Sequence, residues 1–131
     1  MGAAENKALI QNTFDAWAKG DANAFFSLLA DDVQWTVIGT GPVSATYTSR
    51  QDFLDRAVGP LTGKLEGGIA PTVVDLLADG DKVALCWEGH ATAKNGVPYD
   101  QVYCWVMRLD GGKVVEGTAY LDTELVARVF A

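Results

Sequence analysis

Glu88 and His90 are the side chains of this sequence whose types and spacing are best suited to chemistry. His90 is the only histidine of the chain, and Glu88 precedes it by two positions in the segment WEGHATAK. Residues i and i+2 of a β-strand lie on one face, so the carboxylate and the imidazole would be within reach of each other. A neighbouring carboxylate raises the pKa of a histidine and fixes its tautomer, which suits a general base or acid. The alternative is a buried polar pair that catalyses nothing.

A β-hairpin with its turn at Asn95–Gly96 is expected to position these two residues. Asn-Gly between alternating segments is the strongest local hairpin signal, because a two-residue type I′ turn needs positive φ at both positions. Such a turn places Glu88 opposite Tyr103 and His90 opposite Gln101. One face of the hairpin then carries Glu88 and His90 together with aromatic and amide side chains: Tyr99, Gln101, Tyr103 and Trp105.

This mixed face has the composition of a ligand pocket, which has mostly apolar walls and a few polar groups. We therefore predict a pocket for a small apolar or aromatic molecule, with Glu88 and His90 as its catalytic residues. The predicted substrate-binding residues are Trp35, Tyr99, Gln101, Tyr103, Trp105 and Gly117.

The last strand could turn either Glu116 or Gly117 toward the pocket. A three-residue loop at 110–112 would pair Trp105 with Gly117 and turn Gly117 inward, whereas a two-residue loop would turn Glu116 inward. The prediction adopts the three-residue loop, in which the missing side chain of Gly117 leaves room for an indole ring or a ligand.

The other face of the hairpin is predicted to be an apolar patch with no helix left to cover it, formed by Trp87, Val102, Cys104 and Val106. Exposed apolar patches mark interfaces, so a homodimer that pairs through this face is expected. Cys86 and Cys104 would point to opposite faces and should not form a disulfide. With no CxxC spacing and one histidine without grouped ligands, no metal site is expected.

The rest of the chain supplies helices ahead of a sheet. Periodic apolar residues predict a helix near 4–19 and a short helix after Asp21. Ser49 opens a third helix that ends at Gly59–Pro60, with Asp52 in the position of a capping box. A strand is predicted over 33–38 between the second and third helices.

Four strands in a meander are predicted over 72–120, followed by a short helix over 124–130. Helices grouped ahead of an antiparallel sheet predict an α+β fold. We expect a cone in which the N-terminal helices pack on a curved antiparallel sheet and enclose a pocket, as a single domain over residues 1–131.

Composition excludes several classes of function. The chain has 131 residues, of which 49% are hydrophobic and 21% charged, as in ordinary globular domains. Its net charge of −7 and scattered basic residues argue against nucleic acid binding. No apolar run of about 18 residues exists, so no membrane span is expected. The N-terminus lacks the pattern of a signal peptide, and a cytoplasmic location is therefore expected.

Several segments resemble a known superfamily: GDANAFFSLLADDVQW, the WEGH strand, the Asn-Gly hairpin and the closing DGGKVVEGTAYLDT. They are similar to nuclear transport factor 2 and ketosteroid isomerase, and most similar to the SnoaL-like branch. The resemblance covers nearly the whole chain and implies the cone-shaped fold. It specifies chemistry poorly, because this fold hosts isomerases, cyclases, hydrolases, dehydratases and non-catalytic domains.

Residue by residue, the resemblance argues against the isomerase mechanism. The position of the general-base aspartate is Val37, that of the second acid is Trp105, and that of the helical tyrosine is Thr13 or Phe14. In the cyclase branch a histidine on the first hairpin strand and an aspartate on the last strand have acid–base roles. His90 matches the first role, but the inward set of the last strand offers no carboxylate.

The sequence thus leaves two functions open. The first is a small-molecule pocket protein that acts as a cofactor-independent acid–base enzyme, of the isomerase, cyclase or hydratase type, on a small and largely apolar substrate. The alternative is a non-catalytic ligand-binding or dimerising interaction domain with the same fold.

Overall fold

The structure is a computed structural model that describes residues 2–131, and it combines helices with one six-stranded sheet. The helices are α1 (Ala3–Ala18), α2 (Asn23–Phe26), α3 (Arg50–Phe53), α4 (Gly59–Gly63) and α5 (Thr123–Phe130), with a π-helical turn at Leu54–Val58 joining α3 to α4. The strands are β1 (Leu29–Val37), β2 (Ala45–Tyr47), β3 (Leu65–Asp79), β4 (Lys82–Ala93), β5 (Pro98–Asp110) and β6 (Lys113–Leu121). No helix within residues 2–131 is both long and apolar enough to cross a membrane.

The sheet has the strand order β2-β1-β6-β5-β4-β3, and it is curved and unclosed. Strands β3 to β6 form the predicted antiparallel meander. Strand β1 pairs in parallel with β6, and β2 pairs antiparallel with β1. The α+β fold is therefore confirmed, with a mixed sheet in place of a wholly antiparallel one.

The helices cover the concave face of this sheet. Helix α1 buries Ile10, Phe14 and Trp17, which recur at helical spacing and form its apolar face. Ser49 caps α3 as predicted, because its hydroxyl accepts a hydrogen bond from the backbone N–H of Asp52. The predicted end at Gly59–Pro60 is wrong, since the chain remains helical to Gly63. Proline is tolerated in the first turn of a helix, where its missing N–H would have no partner.

The Asn95–Gly96 hairpin lies where predicted but has a different turn. Its loop contains three residues, because the backbone N–H of Ala93 donates a hydrogen bond of 2.9 Å to the carbonyl oxygen of Val97 and closes the hairpin. Of the three loop residues, only Gly96 has a positive φ, at 90°, as in a type I turn followed by a left-handed glycine. The Asn95 side chain accepts a bond from Val97 N and donates to carbonyl oxygens at the end of α5. The prediction of a two-residue turn is therefore wrong.

The extra loop residue shifts the register of β4 against β5 by one position and exchanges the faces of β4. Glu88 lies opposite Val102, and His90 lies opposite Asp100. Trp87 is buried on the inner face, so its predicted place in the outer patch is wrong. Buried side chains on the inner face of these two strands include Leu85, Trp87, Tyr99, Gln101, Tyr103 and Trp105.

The same shift corrects the prediction for the cysteines. Cys86 and Cys104 are direct cross-strand partners on the outer face, so they do not point to opposite sides of the sheet. Both are free thiols with intermediate burial.

The second hairpin reaches the predicted orientation by another route. Its loop has two residues, Gly111–Gly112, both with positive φ, and not three. A register shift then follows between β5 and β6. The inserted position restores the alternation, so that Gly117 is buried and Glu116 is exposed. Gly117 pairs with Met107, and the predicted pairing with Trp105 is wrong.

Candidate functional site

A cavity of about 340 Å³ lies between the helices and the concave face of the sheet. Its aromatic wall residues are Trp17, Phe26, Trp35, Phe53, Trp87, Tyr103 and Trp105. Its aliphatic wall residues include Val37, Val43, Leu54, Ala57, Val58, Leu61, Ile69, Ala119 and Leu121. The apolar cavity is therefore enclosed by helix α1, the helical segment 50–63 and the central strands of the sheet.

Close aromatic packing holds the sheet side of the cavity. Trp87 and Tyr103 are cross-strand partners whose rings stack with centroids 4.2 Å apart and an interplanar angle of 11°. Trp105 meets Trp87 and Trp35 edge to face, with centroid distances of 4.9 and 5.0 Å. Such pairs contribute about 0.5–1.5 kcal/mol beyond the area they bury. These four rings therefore form one continuous side of the cavity.

Trp17 connects helix α1 to the wall of the cavity. The indole N–H of Trp17 donates to the carbonyl oxygen of Ile69 on β3 at 3.0 Å. The ring itself contacts Trp87, with centroids 5.3 Å apart. Trp17 thus closes the cavity from the helical side.

Two other indole N–H groups of the wall have no hydrogen-bond partner. The Nε1 atoms of Trp87 and Trp105 are buried, and neither meets an acceptor among the residues that the structure describes. Leaving a buried donor unsatisfied costs about 1–3 kcal/mol, and most buried donors in proteins are paired. Both Nε1 atoms are closed off by their neighbours, so a hydrogen-bond acceptor on a ligand in the cavity would reach them only after the indole rings shift.

Tyr103 is the only ionisable side chain on the cavity wall within residues 2–131. Its hydroxyl shares a hydrogen bond of 2.7 Å with the hydroxyl of Tyr99. Burial, and then the neighbouring Tyr99, raise the pKa of Tyr103 well above its ordinary value. Tyr103 is therefore neutral near pH 7 and can donate or accept a hydrogen bond, but it is not an anionic base.

Gln101 anchors this tyrosine pair to the start of α5. Its amide nitrogen donates to the carbonyl of Asp122 at 2.9 Å, and its amide oxygen accepts from the N–H of Asp122 at 2.9 Å. The same amide nitrogen lies 3.5 Å from the hydroxyl of Tyr99. Gln101 and Tyr99 are buried behind the cavity wall and support Tyr103 without lining the cavity.

Glu88 and His90 lie on the outer face of the sheet, away from the cavity. His90 contacts Asp100, with Nδ1 and Oδ1 3.0 Å apart, and Glu88, with Nε2 and Oε1 3.7 Å apart. The side chains of His90 and Glu88 are about half exposed, at 49% and 46%. Their predicted position on the pocket wall is wrong, because the hairpin register differs by one residue. Their acid–base role stays a prediction, and neither side chain lines the cavity.

Of the predicted substrate-binding residues, three line the cavity: Trp35, Tyr103 and Trp105. Gly117 is buried beneath the ring of Trp35, which occupies the place of a side chain. The aromatic wall residues absent from the predicted site were Phe26, Phe53, Trp17 and Trp87. Trp87 is inward because Tyr103, its cross-strand partner, is inward, so the correct loop length would have identified it.

Charged side chains and metal ligands do not converge here. The residues that line the cavity include no Asp, Glu, Lys, Arg or His, and its polar side chains are Asn23, Thr62 and Tyr103. Within residues 2–131 no group of three or more His, Cys, Asp and Glu side chains could hold a metal ion. The site therefore offers apolar enclosure with few polar groups, all of them uncharged.

Solved structures share this architecture over nearly the whole chain. An NTF2-like protein from Burkholderia thailandensis matches with a TM-score of 0.81 and 23% identity over 100% of this chain and 99% of the other. A protein of ketosteroid isomerase-like fold from Catenulispora acidiphila, in complex with trimethylamine, matches with a TM-score of 0.68 and 18% identity over 86% and 83% of the chains. TerC, co-crystallised with polyporic acid, matches with a TM-score of 0.75 and 18% identity over 92% and 97%.

At these identities the structures establish the fold, and the family rests on a sequence match. None of the curated proteins compared with the chain is a detectable relative. The family model described as the SnoaL-like domain matches residues 10–117, a range that contains β1 to β5 and most of the cavity wall. The fold, the element order and this match agree, and the chain belongs to the SnoaL-like domain family.

Proposed function

We propose that this chain binds a small, uncharged, largely apolar molecule that carries a carbonyl-type oxygen, and that it promotes isomerisation or cyclisation of that molecule without a cofactor. The observation that carries the proposal is an apolar aromatic cavity of about 340 Å³ in which two wall residues, Trp87 and Trp105, have unpartnered indole N–H groups.

The apolar wall selects against charged ligands. An ion that enters loses its hydration, and no charged side chain lines the cavity to compensate. An apolar ring system gains about 25 cal/mol for each Å² that it removes from water. The cavity lies at the lower end of the range of ligand pockets, roughly 300–1,000 Å³, so the ligand is small.

The available chemistry is confinement combined with polarisation. Neutral donors close to a carbonyl oxygen stabilise the negative charge that builds on it when bonds rearrange or a ring closes within a conjugated carbonyl compound. Holding a flexible molecule in one reactive conformation removes part of the entropic barrier to an internal rearrangement. Because the wall has no anionic base, the proposed reaction moves its protons or bonds within the substrate. The Glu88–His90 pair, outside the cavity, is not required.

Binding is tested with a matched pair of bicyclic probes, α-tetralone and tetralin, by titration calorimetry. The two differ by one carbonyl oxygen. A net hydrogen bond contributes about 0.5–1.5 kcal/mol, so the ketone should bind up to about tenfold more tightly. W105F should reduce the preference for the ketone while retaining tetralin. Equal affinities for the two probes would contradict the role of the indole donors.

The charge of the ligand is tested with choline and its uncharged isostere 3,3-dimethylbutanol. The Catenulispora acidiphila protein was solved with trimethylamine, and aromatic walls can bind alkylammonium ions. The proposal expects 3,3-dimethylbutanol to bind more tightly, because the cavity offers no counter-charge. Tighter binding of choline would instead favour an aromatic cage for cations.

Turnover is tested in D₂O with unsaturated ketones that the binding assay identifies. An internal rearrangement gives a product without solvent deuterium at the migrating position. Catalysis by the predicted Glu88–His90 pair would exchange protons with solvent, and H90A would abolish it. Deuterium incorporation that depends on His90 would therefore replace the confinement mechanism with the acid–base mechanism.

A further inference from the structure

Cys86 and Cys104 face each other across two central strands, on the side of the sheet opposite the cavity. Both thiols are free, and both residues have intermediate burial. They share one face because the hairpin loop has three residues. Neither side chain lines the cavity, so this pair is separate from the proposed ligand site.

The hydrogen-bond pattern of the hairpin identifies the kind of pair that they form. Leu109 N donates to Asp81 O at 2.8 Å, which marks Asp81 and Leu109 as a hydrogen-bonded pair. Hydrogen-bonded and non-hydrogen-bonded pairs alternate along an antiparallel ladder. Cys86 and Cys104 are an odd number of positions from that pair, so they are a non-hydrogen-bonded pair with Cα atoms roughly 4.5 Å apart. A disulfide spans Cα separations of about 4.4–6.8 Å.

The environment of the thiols agrees with this proximity. Burial raises the pKa of the Cys104 thiol, and the next largest cause is the adjacent Cys86 thiol. Each thiol is therefore the immediate neighbour of the other. A thiol with such a neighbour can be attacked by it once it has been oxidised.

We propose that Cys86 and Cys104 form a modification site that reacts with small-molecule disulfides, such as glutathione disulfide, to give a reversible cross-strand disulfide. The Cys86 thiolate attacks one sulfur of the small disulfide, forming a mixed disulfide and releasing one thiol. The Cys104 thiolate then attacks the Cys86 sulfur and releases the second thiol. The two cysteines lose two protons and two electrons, and the small disulfide becomes two thiols.

The link joins the strands that hold the cavity wall. Trp87 follows Cys86 in β4, and Tyr103 and Trp105 flank Cys104 in β5, with their rings on the opposite face. The disulfide would hold these strands together immediately behind the stacked rings. Oxidation should therefore slow amide hydrogen exchange in β4 and β5 more than in β1.

The test incubates the reduced full-length protein with glutathione disulfide, blocks the remaining thiols with N-ethylmaleimide, and measures the intact mass. The wild type should lose two hydrogens, take up no maleimide and remain a covalent monomer on a non-reducing gel. Cys86→Ser and Cys104→Ser should each stop at the mixed disulfide, with one glutathionyl group attached. Dithiothreitol should return every species to the starting mass.

Two controls keep the result specific to the folded pair. Cys86→Ala and Cys104→Ala replace the serine variants if circular dichroism shows that those are unfolded. In urea the wild type should accumulate mixed disulfides, because unfolding separates the thiols. Wild-type protein that carries two glutathionyl groups under native conditions, or that forms covalent dimers, would overturn the proposal.

Discussion

At the scale of single residues, Gly117 shows how a missing side chain shapes the cavity wall. Strand β1 runs in parallel beside β6 and places Trp35 next to Gly117. A Cβ atom at Gly117 would overlap the Cε3 and Cζ3 atoms of Trp35, so no side chain fits there unless the indole ring moves. Because Gly117 has no side chain, the Trp35 ring can pack against β6 and form part of the cavity wall.

Replacing Gly117 with alanine should displace Trp35 and destabilise the fold. Overpacking of this kind costs about 1–3 kcal/mol in the free energy of unfolding, which urea denaturation measures. Gly63→Ala is the matched control, because a Cβ atom there meets nothing within 4 Å. Equal stability of the two variants would contradict the close contact between Gly117 and Trp35.

Tyr103 predicts how stability depends on pH in alkaline solution. Burial raises its pKa in the folded state, so the folded protein retains the phenolic proton when the unfolded chain has lost it. The free energy of unfolding should therefore fall as the pH rises above about 10, the ordinary value for tyrosine. Y103F removes this contribution and should flatten the fall. Y120F, which changes a half-exposed tyrosine, should retain the wild-type slope.

Because His90 and Glu88 lie outside the cavity, substituting them should not change ligand affinity. H90A and E88Q should leave the affinity for α-tetralone unchanged within about twofold, since surface changes distant from a site shift energies by less than about 0.5 kcal/mol. Calorimetry measures both variants against W105F. A loss of affinity in H90A as large as that in W105F would show that the outer face communicates with the ligand.

At the scale of elements, the loop at Asn95 connects the hairpin to the last helix. Its side-chain nitrogen lies 3.0–3.3 Å from the carbonyl oxygens of Arg128, Val129 and Ala131, which the end of α5 leaves without helical partners. N95A should therefore destabilise the protein by about 1 kcal/mol in urea denaturation. Lys94→Ala in the same loop is the control and should have little effect. A stable N95A variant would show that α5 needs no cap from the hairpin.

Asn95 also explains why the hairpin was predicted in the right place with the wrong register. The dipeptide Asn-Gly is a local signal, and it located the turn correctly. The loop length depends in addition on carbonyl groups more than thirty positions away, which no local pattern records. One additional loop residue was sufficient to exchange the faces of β4, and so to place Glu88 and His90 outside the cavity.

Elements with local signals were predicted correctly. Helix α1 has an apolar face at helical spacing, and Ser49 accepts the N-terminal capping bond from the backbone N–H of Asp52. The prediction that Gly117 faces inward is correct although its basis is not. The loop is one residue shorter than predicted, and an inserted residue in β6 cancels the effect of that difference on which side chains face inward. Bulges leave no distinct sequence signal, so this agreement does not extend to the predicted partner of Gly117.

At the scale of the whole molecule, the outer face of the sheet predicts self-association. Val102 and Tyr120 are 63% and 47% exposed there, beside the half-buried Cys104 and Val106. We propose that two copies pair through this patch, which differs from the sequence prediction by including Tyr120 and excluding Trp87. Pairing would cover Cys104, so glutathione disulfide should oxidise the two cysteines in the dissociated chain and not in the dimer. Sedimentation velocity at tens of micromolar should show a dimer, and V102E should dissociate it, because the pairing would bury two like charges. A wild-type monomer at that concentration would contradict this proposal.

The central claim is that the indole N–H groups of Trp87 and Trp105 donate to an oxygen of the ligand, and NMR of the ¹⁵N-labelled indoles tests it most directly. The chain has four tryptophans, so Trp→Phe variants can assign each indole signal. Addition of α-tetralone should shift at least one of the Trp87 and Trp105 N–H protons downfield, whereas tetralin, which brings the same ring system without the oxygen, should not. Trp17, already bonded to Ile69, should show no such difference between the probes. Equal shifts of the Trp87 and Trp105 signals with the two probes, or no shift with either, would contradict the account.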